Sequence, residues 1–200
     1  MEPHRIAVKI YLENPDALDP EAIVPVFHRL IQQKAVEGIP IDVARYAHVP
    51  EGPGIILIGH QLDHALDLSE GRPGITITRK RDDSGPLGER ITRLVAQASR
   101  LAMDLEADPS LGAAIRVNPG EILVTILDRL NAPNDDETLS RAESALREVV
   151  AAVSEEGGGE AATITREGGP RDPFTTRIVL ERPAPLATWV ERLGAAGVGA

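Results

Sequence analysis

GIILIGHQLDHALDLSEGRPGITITRKR, residues 54–81, carries four branched aliphatic residues in a row, then two histidines and two aspartates, then isoleucine alternating with threonine. Gly54 and Gly59 have the spacing of a phosphate-binding loop, but His60 and Gln61 stand where that loop needs Lys and Ser/Thr. Ile55, Ile56, Leu57 and Ile58 also occupy what would have to be a polar loop of exposed N–H groups. Residues 55–58 therefore read as a strand, and the unbroken apolar run fits a central position buried on both faces. Residues 64–81 read as a hairpin, with Gly71, Pro73 and Gly74 supplying the bend. A strand running into a hairpin sets a largely antiparallel sheet.

Working outward, RIAVKIYLE alternates Ile6, Val8, Ile10 and Leu12 with other residues, the strand period. Asp19 and Pro20 form an N-cap and first helical position, and the helix they open is expected to end at Gly38. Pro25, one turn in, should kink that helix or delay its regular start. IDVARYAHV is a further strand. In residues 85–108, Leu87, Ile91, Leu94, Ala98, Leu101 and Leu105 recur at spacings of four and three, one apolar stripe of a long helix. Residues 113–130 read as a hairpin turning at Pro119–Gly120. Residues 133–159 read as a helix that is acidic in its first turn and stopped by three glycines. Residues 161–181 read as another hairpin and PLATWVERLG as a short last helix, so the C-terminal part repeats strand–strand–helix twice.

The expected fold is α+β: mostly antiparallel sheet built from hairpins, covered by three long helices and one short helix, as one sheet or as two lobes. The expected division is an N-terminal α+β lobe over residues 1–108, a C-terminal lobe over 109–195 and a flexible tail over 196–200. Two hundred residues bury roughly 70% of the unfolded surface, enough for a sizeable core. Tyr11, Phe27, Tyr46, Phe174 and Trp189 are the only aromatic residues, so the core is aliphatic and base-stacking surfaces are disfavoured. The net charge of −10 opposes nucleic acid and anionic membranes. No cysteine is present, which removes disulfides, thiolate catalysis and Cys-containing zinc sites, and suits a reducing cytoplasm. No apolar run is long enough for a signal segment or a bilayer span. Arginine outnumbers lysine 18 to 3, which we ascribe to genome base composition.

His60, Asp63, His64 and Asp67 form H-x-x-D-H-x-x-D, the one pattern with metal-ligand or acid–base character. On a helix the histidines would share a face, as zinc ligands do. In a strand His64 and Asp67 point to opposite faces, and only His60 and Asp63 meet, across a turn that Asp63 caps. His28 and His48 could join from neighbouring elements. Residues 72–100 carry a local balance of +4 inside the acidic chain. Arg79, Lys80, Arg81, Arg90, Arg93 and Arg100 are the candidates for an anion or partner patch, with Arg90, Arg93, Gln97 and Arg100 on one helical face. The alternative is a solvated face paired with acids elsewhere. G-x-S-x-G, H-E-x-x-H, G-x-G-x-x-G and EF-hand patterns do not occur. No cofactor is evident.

VPVFHRLIQ, HVPEGPGIILIGH and DRLNAPND resemble segments of an uncharacterised family of bacterial proteins, over about residues 5–150. The resemblance implies no activity or ligand. The expectation is a non-catalytic binding or assembly module of the cytoplasm, taking a protein partner or a small anionic ligand. The alternative is a metal-assisted hydrolase or lyase centred on His60 and Asp63.

Overall fold

Among the described residues, eight antiparallel strands in the order β2-β3-β4-β5-β1-β6-β8-β7 form one sheet, and four helices cover one of its faces. This is an α+β fold. The computed structural model describes residues 3–13, 18–81, 84–111, 115–155 and 162–196. The strands are β1 Ile6–Leu12, β2 Pro40–Tyr46, β3 Gly54–Gly59, β4 Leu62–Asp67, β5 Gly74–Arg79, β6 Val117–Ile126, β7 Ala162–Glu167 and β8 Phe174–Leu180. The helices are α1 Ile23–Gln32, α2 Leu87–Ala107, α3 Asp136–Val153 and α4 Leu186–Ala196.

Beta period and helix period divide the aliphatic residues between the two sides of one interface. Ile6, Val8, Ile10, Ile55, Leu57, Leu62, Leu66, Ile75, Ile77, Ile122, Val124 and Ile178 all point to the helices and are fully or almost fully buried. Leu94, Ala98, Leu101 and Leu105 of α2 meet them. α2 lies across β5 and β1 and also packs on α3 and α4, where Trp189 is completely enclosed. Pro20–Ala22 form a 3-10 turn opened by Asp19, whose carboxylate accepts from Glu21 N–H at 3.0 Å. Regular α1 starts only at Ile23, so Pro25 sits in its first turn, where the missing N–H costs nothing.

Three expectations are corrected. Residues 113–130 do not make a hairpin; among the described residues β6 runs unbroken through Pro119 and Gly120. The Asn118 side chain accepts from Gly120 N–H at 2.8 Å, and a register shift between Ile10 and Leu12 on β1 absorbs the irregularity, so a turn composition is held as a bulge. The C-terminal part consequently reads strand–helix–strand–strand–helix. Second, α3 ends at Val153, before the glycines, because Ser154 leaves the helix to bridge Pro183. Third, β3 is second from the edge, and only Ile55 and Leu57 face the helices, while Ile56 and Ile58 are half-buried on the other side. Ala196 closes α4, and the rest of the expected tail lies outside the described residues.

A repeat does exist, over the whole chain. Each half reads strand, helix, hairpin strands, helix, and the first half carries two extra strands. In each half the first strand is innermost and the strand preceding the last helix lies beside it. β1 and β6 join the halves as antiparallel neighbours, from Ile6↔Ile126 to Ile10↔Ile122.

Candidate functional site

The segment His60–Asp67 feeds both sides of the sheet. His60 is exposed at the β3–β4 turn, and its carbonyl accepts from Arg81 Nε at 3.1 Å. The Asp63 carboxylate accepts from Gly59 N–H at 3.1 Å and pairs with Lys80 at 2.8 Å, so it closes the turn. Asp67 shares the outer side with Asp63, whereas His64, opposite Leu57 and Ile77, enters the helix side. His28 and His48 are exposed on α1 and on the β2–β3 loop. The four motif residues therefore do not converge, and no group of three metal-ligating side chains occurs among the described residues.

The basic candidates are dispersed as well. Arg79 pairs with Glu37 at 3.7 Å and Lys80 with Asp63. Arg93 donates to the Ser84 carbonyl at 2.6 Å and pairs with Glu89 at 3.8 Å. Arg90, expected on the solvent face, is buried and donates to the Pro3 carbonyl, because the segment before β1 folds over that part of α2. Arg100 stays exposed.

On the uncovered face, side chains of alternate parity form a groove of about 490 Å³. Its floor is Ala7, Ala65, Ile56 and Leu123 with Thr76, Thr78 and Thr125, and the β2–β3 and β4–β5 loops wall it with Glu51, Pro53, Ser69 and Glu70. Glu51 and Glu70 both hold left-handed backbone, φ 52° and 61°. Lys9, only 5% exposed, pairs with Asp67 at 2.9 Å. Asp67 also accepts from Ser69 N–H and Oγ, both at 2.9 Å, and from Thr76 at 3.3 Å.

Beside the groove the face carries an ionic chain invisible in the sequence, since its members come from five segments. Arg72 stacks 3.9 Å from the Tyr11 ring centre and grips Glu121 with two hydrogen bonds of 2.8 and 2.7 Å. Arg177 links Glu121 to Glu167. Hydrogen bonds from Arg72, then from Arg177, hold the Glu121 carboxyl below its ordinary range despite burial. Burial raises the Tyr11 hydroxyl, against the pull of both arginines.

On the helix side His64 is 2% exposed, with Nδ1 and Nε2 both lacking a protein partner. Burial lowers its pKa to about 4, against the opposing effect of Asp63, so the ring is neutral at physiological pH. An unmet buried polar group costs about 1–3 kcal/mol. His64 lines a cavity of about 260 Å³ together with Lys34 to Glu37 and Gln97, Arg100, Leu101 and Asp104 of α2. Glu37 accepts from Gln97 across it. Burial raises the Asp104 carboxyl, with Arg100 opposing.

No helix among the described residues is long and apolar enough to cross a membrane. No protein-family model, curated protein or solved structure matches the chain.

Proposed function

We propose that the protein is a non-catalytic assembly module that pairs with a second copy of itself through the uncovered face of its sheet. The observation that carries this reading is the side-chain pattern of β3 and β6. A strand with one wet face alternates apolar with polar residues, and an unbroken apolar run marks burial on both faces. Ile56 and Ile58 of β3 and Leu123 of β6 point away from the helices, where the described residues supply no second layer. A second sheet would supply it, at the roughly 10 Å spacing that small side chains such as Ala7, Ala65 and Thr76 allow.

Size and charge support the same partner. Eight strands about 4.8 Å apart and about 20 Å long present roughly 650 Å², near the roughly 800 Å² per side of a standard interface. Five ion pairs of the face are formed within it: Lys9 with Asp67, Lys80 with Asp63, Arg72 with Glu121, and Arg177 with Glu121 and Glu167. Covering these five pairs strands none of their charges.

The hydrolase or lyase alternative lacks comparable support, since His60 faces solvent and the Asp63 carboxylate is engaged by Gly59 and Lys80. The absence of cysteine allows a direct test. Thr125→Cys, at the centre of the open face, should crosslink to a second chain with a short bis-maleimide at micromolar protein. Ser144→Cys, on the exposed side of α3, should not. Equal crosslinking of the two, or none at Thr125→Cys, overturns the proposal.

A further inference from the structure

On the opposite, helix-covered side of the sheet, we infer that the cavity at His64 is a binding site for a small hydroxylated oxyanion, either a hydroxycarboxylate or a singly protonated phosphate. Three features of the cavity point to that chemistry. A neutral imidazole has one N–H and one lone pair, so it is satisfied by a group that both accepts and donates, as a hydroxyl or protonated oxygen does. Both His64 nitrogens are withdrawn from water with no protein partner, and the ring lines the cavity. No apolar ligand could meet that demand.

Two cations supply the second feature. Lys34, held in left-handed backbone at φ 53° just after α1, and Arg100 of α2 stand in the same lining. The carboxylates there are partly committed. Glu37 is engaged by Gln97 and by Arg79, and Asp104 stands near Arg100. With Glu37 set against Arg79 and Asp104 against Arg100, the positive charge left in the lining is that of Lys34, which calls for an anion. The third feature is shape. The cavity's 260 Å³ is a cleft bounded by β4 below, the segment after α1 on one side and α2 on the other, and open to solvent past Lys34, Glu37 and Arg100. That suits a molecule of several heavy atoms rather than a macromolecule.

The test uses the full chain at about pH 7.5, where the His64 ring is neutral. Inorganic phosphate and malate are titrated separately, with sodium chloride at matched ionic strength as control. Long-range proton–nitrogen NMR reads the imidazole signals, and His64→Gln identifies those of His64. At least one probe should shift the His64 nitrogens saturably, with Kd of about 1 mM or tighter. Arg100→Gln and Lys34→Gln should each weaken that binding by about tenfold without lowering the melting temperature. A response to phosphate alone assigns a phosphate-bearing ligand, and a response to malate assigns a hydroxycarboxylate. His64 signals that ignore both probes or follow chloride equally would show a cavity holding water only, and a response that survives both charge variants would overturn the oxyanion site.

Discussion

Replacing His64 with leucine removes the imidazole that β4 carries into the helix side of the sheet, and its effect is read most cleanly against pH. Above pH 6.5 the ring is neutral in both folded and unfolded chains, so protonation contributes nothing to stability there. Below that value the unfolded chain takes up a proton that the folded chain refuses until about pH 4. The unfolded state then binds more protons, and stability must fall as pH falls through this window, levelling off below it. The gap between the ordinary value of 6.5 and about 4 corresponds to about 3 kcal/mol. Leucine titrates nowhere and fills similar space, so at pH 7.5 the variant should be no less stable than the parent. Urea titrations of both proteins at several pH values between 7.5 and 4, in buffers without phosphate or hydroxy acids, give the comparison. Carboxylate titrations elsewhere are common to both and cancel in the difference. The parent should lose about 3 kcal/mol more than the variant across the window. Parallel pH curves would show that His64 protonates as readily folded as unfolded, which would refute its burial as a neutral ring.

Leu94→Ala, in the α2 surface that meets the sheet, should cost about 2–5 kcal/mol by urea titration; a loss under about half a kilocalorie would put the wrong face of α2 inward. Gly54→Ala should cost about 3 kcal/mol, because φ is 68° and the new methyl would sit 2.1 Å from the Leu66 carbonyl oxygen. A melting temperature unchanged from the parent would refute the close β3–β4 approach. Lys9→Met should cost about 2 kcal/mol, since Asp67 keeps its Ser69 and Thr76 donors but loses its cation. Adding Asp67→Leu should recover part of that loss, and full additivity of the two losses would show that the groups do not interact.

The elements readable from sequence were those whose local chemistry agrees with their packing. β4 and β5 alternate and are joined by Gly71, Pro73 and Gly74, and α2 repeats its leucines at helical spacing. β6 was not readable, because Pro119–Gly120 has turn composition and only pairing with β1 shows that Asn118 holds it as a bulge. Arg90 looked solvent-facing because a helical wheel knows nothing of residue 3, whose carbonyl it meets. Alternation correctly set His64 and Asp67 on opposite faces, but not which face the helices would take. The Tyr11 chain had no local signal: Arg72, Glu121, Glu167 and Arg177 meet only once β6, β8 and β7 are laid beside β1.

Sedimentation equilibrium of the full chain, over micromolar to submillimolar concentrations, reads the central claim most directly, alongside the Ile56→Lys variant that places a charge on the uncovered face of β3. The parent should sediment at twice the 21.4 kDa chain mass, and the variant at the chain mass with an unchanged circular dichroism spectrum. A parent that stays at the chain mass at every concentration, or a variant that dimerises as tightly as the parent, would contradict pairing through the open sheet.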